Sequence, residues 1–450
     1  MKLKLSPHAF CRKYSKFVLF LNQVTHDELL FEDADWLTEL FSRKFTSYDK
    51  LKKQLCENRI FPEDAVDKEL QDLCDILMAS NMIVSDIVQE KNNQRFPDNY
   101  FASDEQSLQI ESPSRIVERI FYENPTVFEL SIDLTDSCNE RCIHCYIPEY
   151  TNSFLDKNIL FSLLDEFALN GGLKVKFSGG ECMLHPDFIE ILEYARKKDL
   201  IITVLSNLTC CSEEICAALK SNNVALVQTS VYSLSHEIHD AITGLKGSCA
   251  RTLNAFEKLY NLNVPLQISC PLMRQNYSTI SSVVDFGKKK NVRVNIDFQL
   301  MAQSNHCTDN LENRINDEQL FEFIHKYFYQ EIKDAKSQAD EKINENDVIC
   351  EVGTSKICVA ANGDFYPCNN ASGYVLGNCY VDSLQKIWNE SEKLKYLRNL
   401  RWKEFEKCII CPNKRFCKIC PLKNFNETGS LTGQIAQQCK IASIMNETVL

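Results

Sequence analysis

Several things are scarce in this chain. No stretch of the 450 residues approaches the run of about 18 apolar residues that a membrane-spanning helix needs. The N-terminus, MKLKLSPHAFCRKYSKFVLFLNQ, lacks a secretory signal: its apolar stretch is confined to Phe17–Leu21, and no small-residue cleavage site follows. There is no low-complexity tract and no internal repeat. Positive charge is in deficit, with 50 Lys and Arg against 62 Asp and Glu for a net −12. That balance argues against a general affinity for nucleic acid or anionic lipid. Glycine is sparse at 13 residues, while 44% apolar and 25% charged residues exclude global disorder.

Cysteine is abundant, at 22 residues. A chain without export signal is expected in the cytoplasm, with its thiols mostly reduced. Clustered cysteines there read as metal ligands or catalysts rather than as disulfides.

The length suggests about three domains. Residues 1–88 open with a β-like stretch, Phe17–Leu21, followed by three helical patterns. These are Asp33–Arg43, a helix capped by Ser47 with Leu51 and Leu55 on one face, and Ala65–Ser80. They predict a small winged-helix-like α+β domain. Residues 89–125 read as a polar linker. Residues 126–310 alternate strands and helices. The expected strands are Phe128–Leu134, Leu173–Phe177, Ile201–Leu205, Ala225–Val231, Pro265–Ser269 and Val292–Phe298. Six such units predict an α/β fold, a partial or full (β/α) barrel with its site at the C-terminal ends of the strands. A helical bridge covers 311–349, a cysteine-rich segment 350–440, and a tail 441–450.

The first cysteine constellation is Cys138-x3-Cys142-x2-Cys145, on the loop after the first barrel strand. Three thiolates there can hold three irons of a [4Fe–4S] cube and leave the fourth open. The competing reading is a zinc site with His144 as fourth ligand. Strand two ends in Gly179-Gly180-Glu181, strand three in Ser206-Asn207, and strand four in Ser230. Farther on lie His239-Asp240-Ala-Ile-Thr243-Gly244 and Gly247-Ser248.

This pattern resembles the radical S-adenosylmethionine (SAM) enzymes, which implies a partial (β/α)6 radical SAM barrel. The triplet Cys138, Cys142 and Cys145 would bind the reducible cluster, and SAM would chelate its open iron. One electron then cleaves SAM to a 5′-deoxyadenosyl radical that abstracts a substrate hydrogen. The resemblance places Gly179, Gly180, Glu181, Ser206, Asn207 and Ser230 at SAM, with the His144 ring near the adenine. No general base can be chosen from the barrel carboxylates. Cys182, where relatives often carry proline, reads as a small buried residue, with a catalytic thiol as the alternative.

The C-terminal segment contains Cys350, Cys358, Cys368, Cys408, Cys411, Cys417, Cys420 and Cys439. It resembles the auxiliary-cluster extension called SPASM, which implies two more [4Fe–4S] clusters, three in all. By that resemblance Cys350, Cys358, Cys368 and Cys420 hold the first auxiliary cluster, and Cys408, Cys411, Cys417 and Cys439 the second. Two details depart from the pattern: Cys417-x2-Cys420 is one residue short, and relatives vary at Cys358. Residues 1–88 are similar to the peptide-binding domain of pyrroloquinoline quinone biosynthesis, which binds a leader peptide as an added strand.

Together these parts imply a maturase of a ribosomally made precursor peptide, fed electrons by a flavodoxin- or ferredoxin-type donor. Thioether formation is favoured. The alternatives are C–C cross-linking, epimerisation, anaerobic sulfatase-type protein maturation, and a non-enzymatic metal-binding winged-helix regulator. No nucleic acid and no membrane are expected as partners.

Overall fold

The computed structural model describes residues 1–58, 60–62, 64–87, 120–337, 343–369, 371 and 373–448. Most of the expected linker, 89–125, lies outside them.

The N-terminal domain has strands β1 (Lys2–Leu5), β2 (Ala9–Lys13), β3 (Phe17–Asn22) and β4 (Glu28–Glu32). Helix α1 (Leu37–Leu40), strand β5 (Thr46–Ser47), helices α2 (Tyr48–Glu57) and α3 (Val66–Ala79), and strand β6 (Ile83–Ser85) complete it. The strands form two antiparallel sheets, β5-β1-β6 and β2-β3-β4. Ser47 caps α2, its hydroxyl accepting from Lys50 N at 3.4 Å. The helix expected over Asp33–Arg43 shrinks to four residues. Asp33 takes φ +50° as the chain leaves β4, and Phe41 is extended.

Strand β3 is apolar on both faces for a reason. Val18 and Phe20 pack with α2 and α3. Phe17, Leu19 and Leu21 pack instead with Phe121, Phe128, Leu173 and Ile201 of the barrel. Tyr14 Oη donates to Gly171 O at 2.9 Å, and Gln23 Nε2 to Asn223 O at 2.9 Å. The Arg43 guanidinium meets Asp199 at 2.7 Å. All three barrel partners precede strands, so this domain sits on the N-terminal floor of the barrel.

The barrel strands are β7 (Glu129–Thr135), β8 (Lys174–Gly179), β9 (Ile201–Ser206), β10 (Leu226–Ser230), β11 (Leu266–Ser269) and β12 (Arg293–Asn295). They are parallel and ordered sequentially. Between them run α4 (Lys157–Leu169), α5 (Phe188–Lys197), α6 (Glu213–Ser221), α7 (His236–Thr243), α8 (Ser248–Asn261) and α9 (Ile280–Lys290). Helix α10 (Asp317–Ser337) leads out of the barrel.

The C-terminal segment joins this sheet. Strand β13 (Lys356–Val359) pairs parallel with β7, Cys358 opposite Ser131, and β14 (Asp364–Tyr366) and β15 (Gly377–Asn378) extend it to nine strands. Helices α11 (Leu384–Glu390), α12 (Glu392–Arg398), α13 (Pro421–Thr428) and α14 (Ala436–Glu447) follow. The tail expected from 441 is a correction: those residues continue α14 and bury Ile441, Ala442 and Ile444.

Strand β7 reads Glu-Leu-Ser-Ile-Asp-Leu-Thr, with alternating sides. Leu130, Ile132 and Leu134 pack on helix residues such as Leu160, Leu164 and Phe167. Glu129, Ser131, Asp133 and Thr135 face the other way, into the lumen. Lys174, Lys176 and Ser178 of β8, Gln228 and Ser230 of β10, and Cys358 and Tyr366 share that side by register. A packed (β/α)8 barrel fills its interior with bulky branched residues. This one carries a mainly polar lumen face, with Leu205 and Leu226 on the same side by register.

Candidate active site

The three-cysteine loop leaves β7 at the C-terminal face, and four sets of bonds hold it. On the β8 side, Gly180 N donates to Thr135 O at 2.7 Å and Glu181 N to Ser137 O at 2.8 Å. A Cβ on Gly180 would lie 2.3 Å from Ser137 O, and one on Gly179, whose φ is +128°, would lie 2.2 Å from Thr135 O. The two glycines are required because strand two meets the cysteine loop backbone to backbone. On the α7 side, Arg141 N donates to Thr243 O at 2.8 Å and Ile143 N to Ile242 O at 3.0 Å. Beyond the barrel, the buried amides of Asn310 and Asn313 donate to His144 O at 3.1 Å and Ile143 O at 3.0 Å. Finally, Asn207 Nδ2 donates to Asn139 Oδ1 at 2.9 Å, and Asn139 Nδ2 to Thr209 Oγ1 at 2.6 Å.

Glu181 is buried, and its carboxylate has a full set of donors. Oε1 accepts from Ser206 Oγ at 2.8 Å and Met183 N at 3.0 Å, and Oε2 from Asn207 N at 2.7 Å. Burial raises its pKa while these donors oppose the rise. Glu181 and Ser206 thus tie the ends of β8 and β9 together. Asn207 orients the cysteine loop, and half-buried Ser230 faces the lumen.

The His144 ring packs on Tyr232 at 5.1 Å, and its Nε2 is buried without a hydrogen-bond partner among the described residues. Burial drops its pKa to about 4, so the ring is neutral. Cys142 Sγ lies 3.6 Å from Tyr232 Oη and 3.4 Å from Glu140 Oε2. Burial pushes the Cys138 thiol up to about 12, so protons must leave as iron binds. Cys182 is fully buried and donates to Leu205 O at 3.2 Å, and burial raises its pKa far above the usual thiol range. Its burial and its bond to a backbone carbonyl are those of a packing thiol.

The motif after β10 is structural as well. Asp240 accepts from Gly247 N at 2.5 Å, Cys249 N at 2.9 Å and Ser248 Oγ at 3.0 Å, capping α8. His239 Nδ1 accepts from Tyr232 N at 3.4 Å.

The C-terminal thiols fall into two neighbourhoods. Cys350, Cys368 and Cys420 pack together around Val352, Ala371 and Leu422. Cys358 is buried on β13 close enough to Cys368 for the two to couple electrostatically. Cys417 and Cys439 couple in the same way with Cys408 and Cys411. All 22 cysteines are free thiols. Among the described residues, no three Cys, His, Asp or Glu side chains converge on a single-ion site. The donor chemistry, three thiols on one loop and two sets of four beyond it, fits cubes rather than one shared ion. Sequence reading missed Asn139, Thr209, Asn310 and Asn313. Asn310 and Asn313 donate to loop carbonyls, while Asn139 meets the Asn207 amide and the Thr209 hydroxyl, and no spacing announces either set.

An open six-stranded parallel barrel with three thiols on its first loop, joined to a thiol-rich extension, defines an iron–sulfur enzyme that works at the mouth of a polar lumen. Residues 132–287 match the radical SAM superfamily and 350–412 match the SPASM iron–sulfur cluster-binding domain. The chain belongs to the radical SAM superfamily and carries a SPASM extension; its cofactors are SAM and [4Fe–4S] clusters. It is 27% identical over 317 residues to the antilisterial bacteriocin subtilosin biosynthesis protein AlbA of Bacillus subtilis, covering 68% of this chain and 69% of AlbA. It is 25% identical over 331 residues to the AdoMet-dependent heme synthase of Methanosarcina barkeri, covering 66% and 92%. In fold it is similar to Streptococcus suis SuiB bound to precursor peptide SuiA, with TM-score 0.65, 14% identity, and coverage of 98% of this chain and 100% of SuiB.

Proposed function

We propose that this chain matures a ribosomally made precursor peptide, with formation of a thioether as the favoured reaction. The observation that carries the proposal is the polar lumen, walled by the three-cysteine loop at its mouth and by Cys358 on β13. A peptide side chain can be held there between two sets of thiols. AlbA, a bacteriocin biosynthesis protein, is consistent with a peptide substrate. Cys138, Cys142 and Cys145 would hold the SAM-binding cluster. Cys350, Cys358, Cys368 and Cys420 would hold one auxiliary cluster, and Cys408, Cys411, Cys417 and Cys439 the other. Bound there, the clusters and SAM supply a carbon-centred radical that removes a substrate hydrogen atom. The chain's own residues set where this happens. Gly180, Asn139, Asn310 and Asn313 fix the loop, and His144 and Tyr232 wall it with aromatic surface.

The leader would add to the β2-β3-β4 sheet, where β4 has no second strand partner among the described residues. An electron donor of the flavodoxin or ferredoxin class would dock near the outer thiols. Ile410, between Cys408 and Cys411, is 82% exposed, and the exposed Lys403, Lys407 and Lys418 lie within eight residues of it in the chain. Such local positive charge on an acidic chain suits a small acidic protein. No helix among the described residues is long and apolar enough to cross a membrane, which accords with a cytoplasmic setting.

The test is anaerobic incubation of the reconstituted, reduced chain with SAM and a panel of short cysteine-bearing precursor peptides. The expected result is 5′-deoxyadenosine and a peptide that has lost two hydrogens, its cysteine resistant to alkylation. Absence of 5′-deoxyadenosine at low potential refutes the radical chemistry. An unchanged peptide alongside 5′-deoxyadenosine refutes the substrate.

A further inference from the structure

Each of the three loop thiols meets a hydrogen-bond donor, and the donors differ in origin. Cys138 Sγ accepts from Glu140 N at 3.4 Å, a bond made inside the loop. Cys145 meets the hydroxyl of Tyr150, which lies on the loop's own exit with the Arg141 guanidinium 4.1 Å over its ring. Cys142 Sγ accepts from Tyr232 Oη at 3.6 Å. Tyr232 is no part of the loop. It follows β10, three strands away from β7 in the sheet and 90 residues along the chain from Cys142.

Tyr232 is held from several directions. Only 4% of it is exposed. Its N–H donates to His239 Nδ1 at 3.4 Å, and its carbonyl accepts from Asn276 Nδ2 at 3.0 Å. Its ring lies against His144 at 5.1 Å and His239 at 5.3 Å. Ile242, Met273 and Leu300 pack around it together with Cys142 and Ile143 of the loop. The Ser230 hydroxyl, at the end of β10, donates to the tyrosine oxygen. An oxygen that accepts from Ser230 turns its own proton elsewhere, and the Cys142 sulfur is where it reaches. In a buried site the two bonds polarise one another. The group that opposes them is Glu140, whose Oε2 lies 3.4 Å from the same sulfur.

We propose that Tyr232 is a positioning residue that acts through Cys142: its hydroxyl donates to a sulfur of the SAM-binding cluster and favours the reduced state of that cluster. The inference rests on the assignment of Cys138, Cys142 and Cys145 in the function proposed above, and adds a residue that sets how readily the electron enters. Reduction places negative charge on a cluster and its thiolates. A hydrogen bond to a ligand sulfur stabilises that charge, and such bonds are among the factors that set cluster potentials. One electron passes from a donor of the flavodoxin or ferredoxin class, or from dithionite, to the cluster, and no bond or proton changes hands at Tyr232. A backbone amide such as Glu140 N survives any side-chain substitution, whereas the Tyr232 hydroxyl can be deleted with its ring packing left in place.

The test is an equilibrium reductive titration of the full reconstituted chain, read from the paramagnetic signal of the reduced cluster that changes shape when SAM is added. Tyr232→Phe should keep the wild-type iron content of about twelve per chain. At any fixed potential its ratio of reduced to oxidised SAM-binding cluster should fall about tenfold, which is a midpoint about 59 mV lower for a one-electron couple. Signals that SAM leaves unaltered should titrate as in wild type. Fluorotyrosine in place of Tyr232, a stronger donor of nearly the same shape, should move the midpoint the opposite way. An unmoved midpoint in Tyr232→Phe, or the same direction of shift in both variants, overturns the proposal. Loss of about four irons per chain in Tyr232→Phe overturns it too, because the hydroxyl would then belong to the seat of the loop. A SAM-responsive signal that survives Cys142→Ala would overturn the underlying assignment of the thiols instead.

Discussion

Replacing Gly180 with alanine isolates the contact that seats the cysteine loop. The added Cβ would meet Ser137 O at 2.3 Å, Ser137 C at 2.7 Å and Asp136 O at 2.8 Å. These are backbone atoms, so no rotamer change relieves the clash. Ordinary contact begins at 3.4 Å, so the loop must retreat by 3.4 − 2.3 = 1.1 Å. The Glu181 N to Ser137 O bond, now 2.8 Å, would then stretch beyond hydrogen-bonding distance. Two lost backbone bonds cost about 1 kcal/mol each, and overpacking adds 1 or more, for about 3 kcal/mol in all. Metal–ligand lengths tolerate only about 0.2 Å, so the SAM-binding cluster should be lost while both auxiliary clusters remain. Iron should fall from about twelve to about eight per chain, three four-iron clusters becoming two. SAM cleavage should vanish, and the denaturation midpoint should fall with an unchanged slope. Full iron and normal 5′-deoxyadenosine formation in this variant would refute the claim that the glycine pair seats the loop.

Cys439→Ala should remove about four irons and leave SAM cleavage by the first cluster measurable, since Cys439 couples only with the outer thiols; unchanged iron content would break the proposed grouping. Glu129 supplies a pH test. Burial alone would raise its pKa, but Lys356 and Lys176 outweigh burial and hold it at about 2. A depressed carboxyl stabilises the fold above its unfolded value of about 4.3 and loses that contribution as pH falls toward about 2, up to about 3 kcal/mol. Urea midpoints measured at pH 5 and pH 3 should therefore converge for wild type and Glu129→Gln, and parallel midpoints would disprove it. Because the N-terminal domain lies on the barrel floor and the cysteine loop at the mouth, a bound peptide must span β7. Seven residues at about 3.3 Å each give about 23 Å. Precursors with fewer than about seven residues between leader and modified site should bind as tightly as the parent but remain unmodified.

The barrel was legible because its signals are local. Each helix carries its own apolar stripe, as α4 does with Leu160, Leu163, Leu164 and Phe167. The thiols announced themselves by spacing. What escaped was non-local or short. Strand β13 is four residues long and pairs with β7 across more than two hundred residues of chain. No window reveals that the cysteine-rich segment completes the barrel sheet. In the N-terminal domain β1, β4 and β6 are three to five residues long and owe their extended form to their partners. The site shows the same division. The resemblance pointed to Gly179, Gly180 and Glu181 as SAM contacts, and the fold adds a second use for them. The glycines admit the Thr135 and Ser137 carbonyls, and the carboxylate binds amides of its own loops.

One signal was present in the sequence and carries further than the cysteine count. A parallel strand buried on both faces reads as a continuous apolar run. Here Glu129, Ser131, Asp133 and Thr135 alternate with Leu130, Ile132 and Leu134. A strand flanked on both sides by others can keep four polar side chains on one face only if each finds a partner there, here Lys176 and Lys356 for Glu129, Asn369 for Ser131, Tyr366 for Asp133 and the Ser153 carbonyl for Thr135. The alternation therefore marks a barrel interior that is polar and hydrogen-bonded rather than filled by branched apolar side chains. Lysines and a glutamate occupy the floor of that lumen, whereas the mouth has Asp133 and Ser178 with no counter-cation. The gradient sets charge pairing at the end that carries the N-terminal domain and leaves an ionisable carboxyl at the end that carries the thiols. A carboxyl held by a tyrosine hydroxyl at the mouth and ion pairs at the floor are thus two consequences of one period-two pattern.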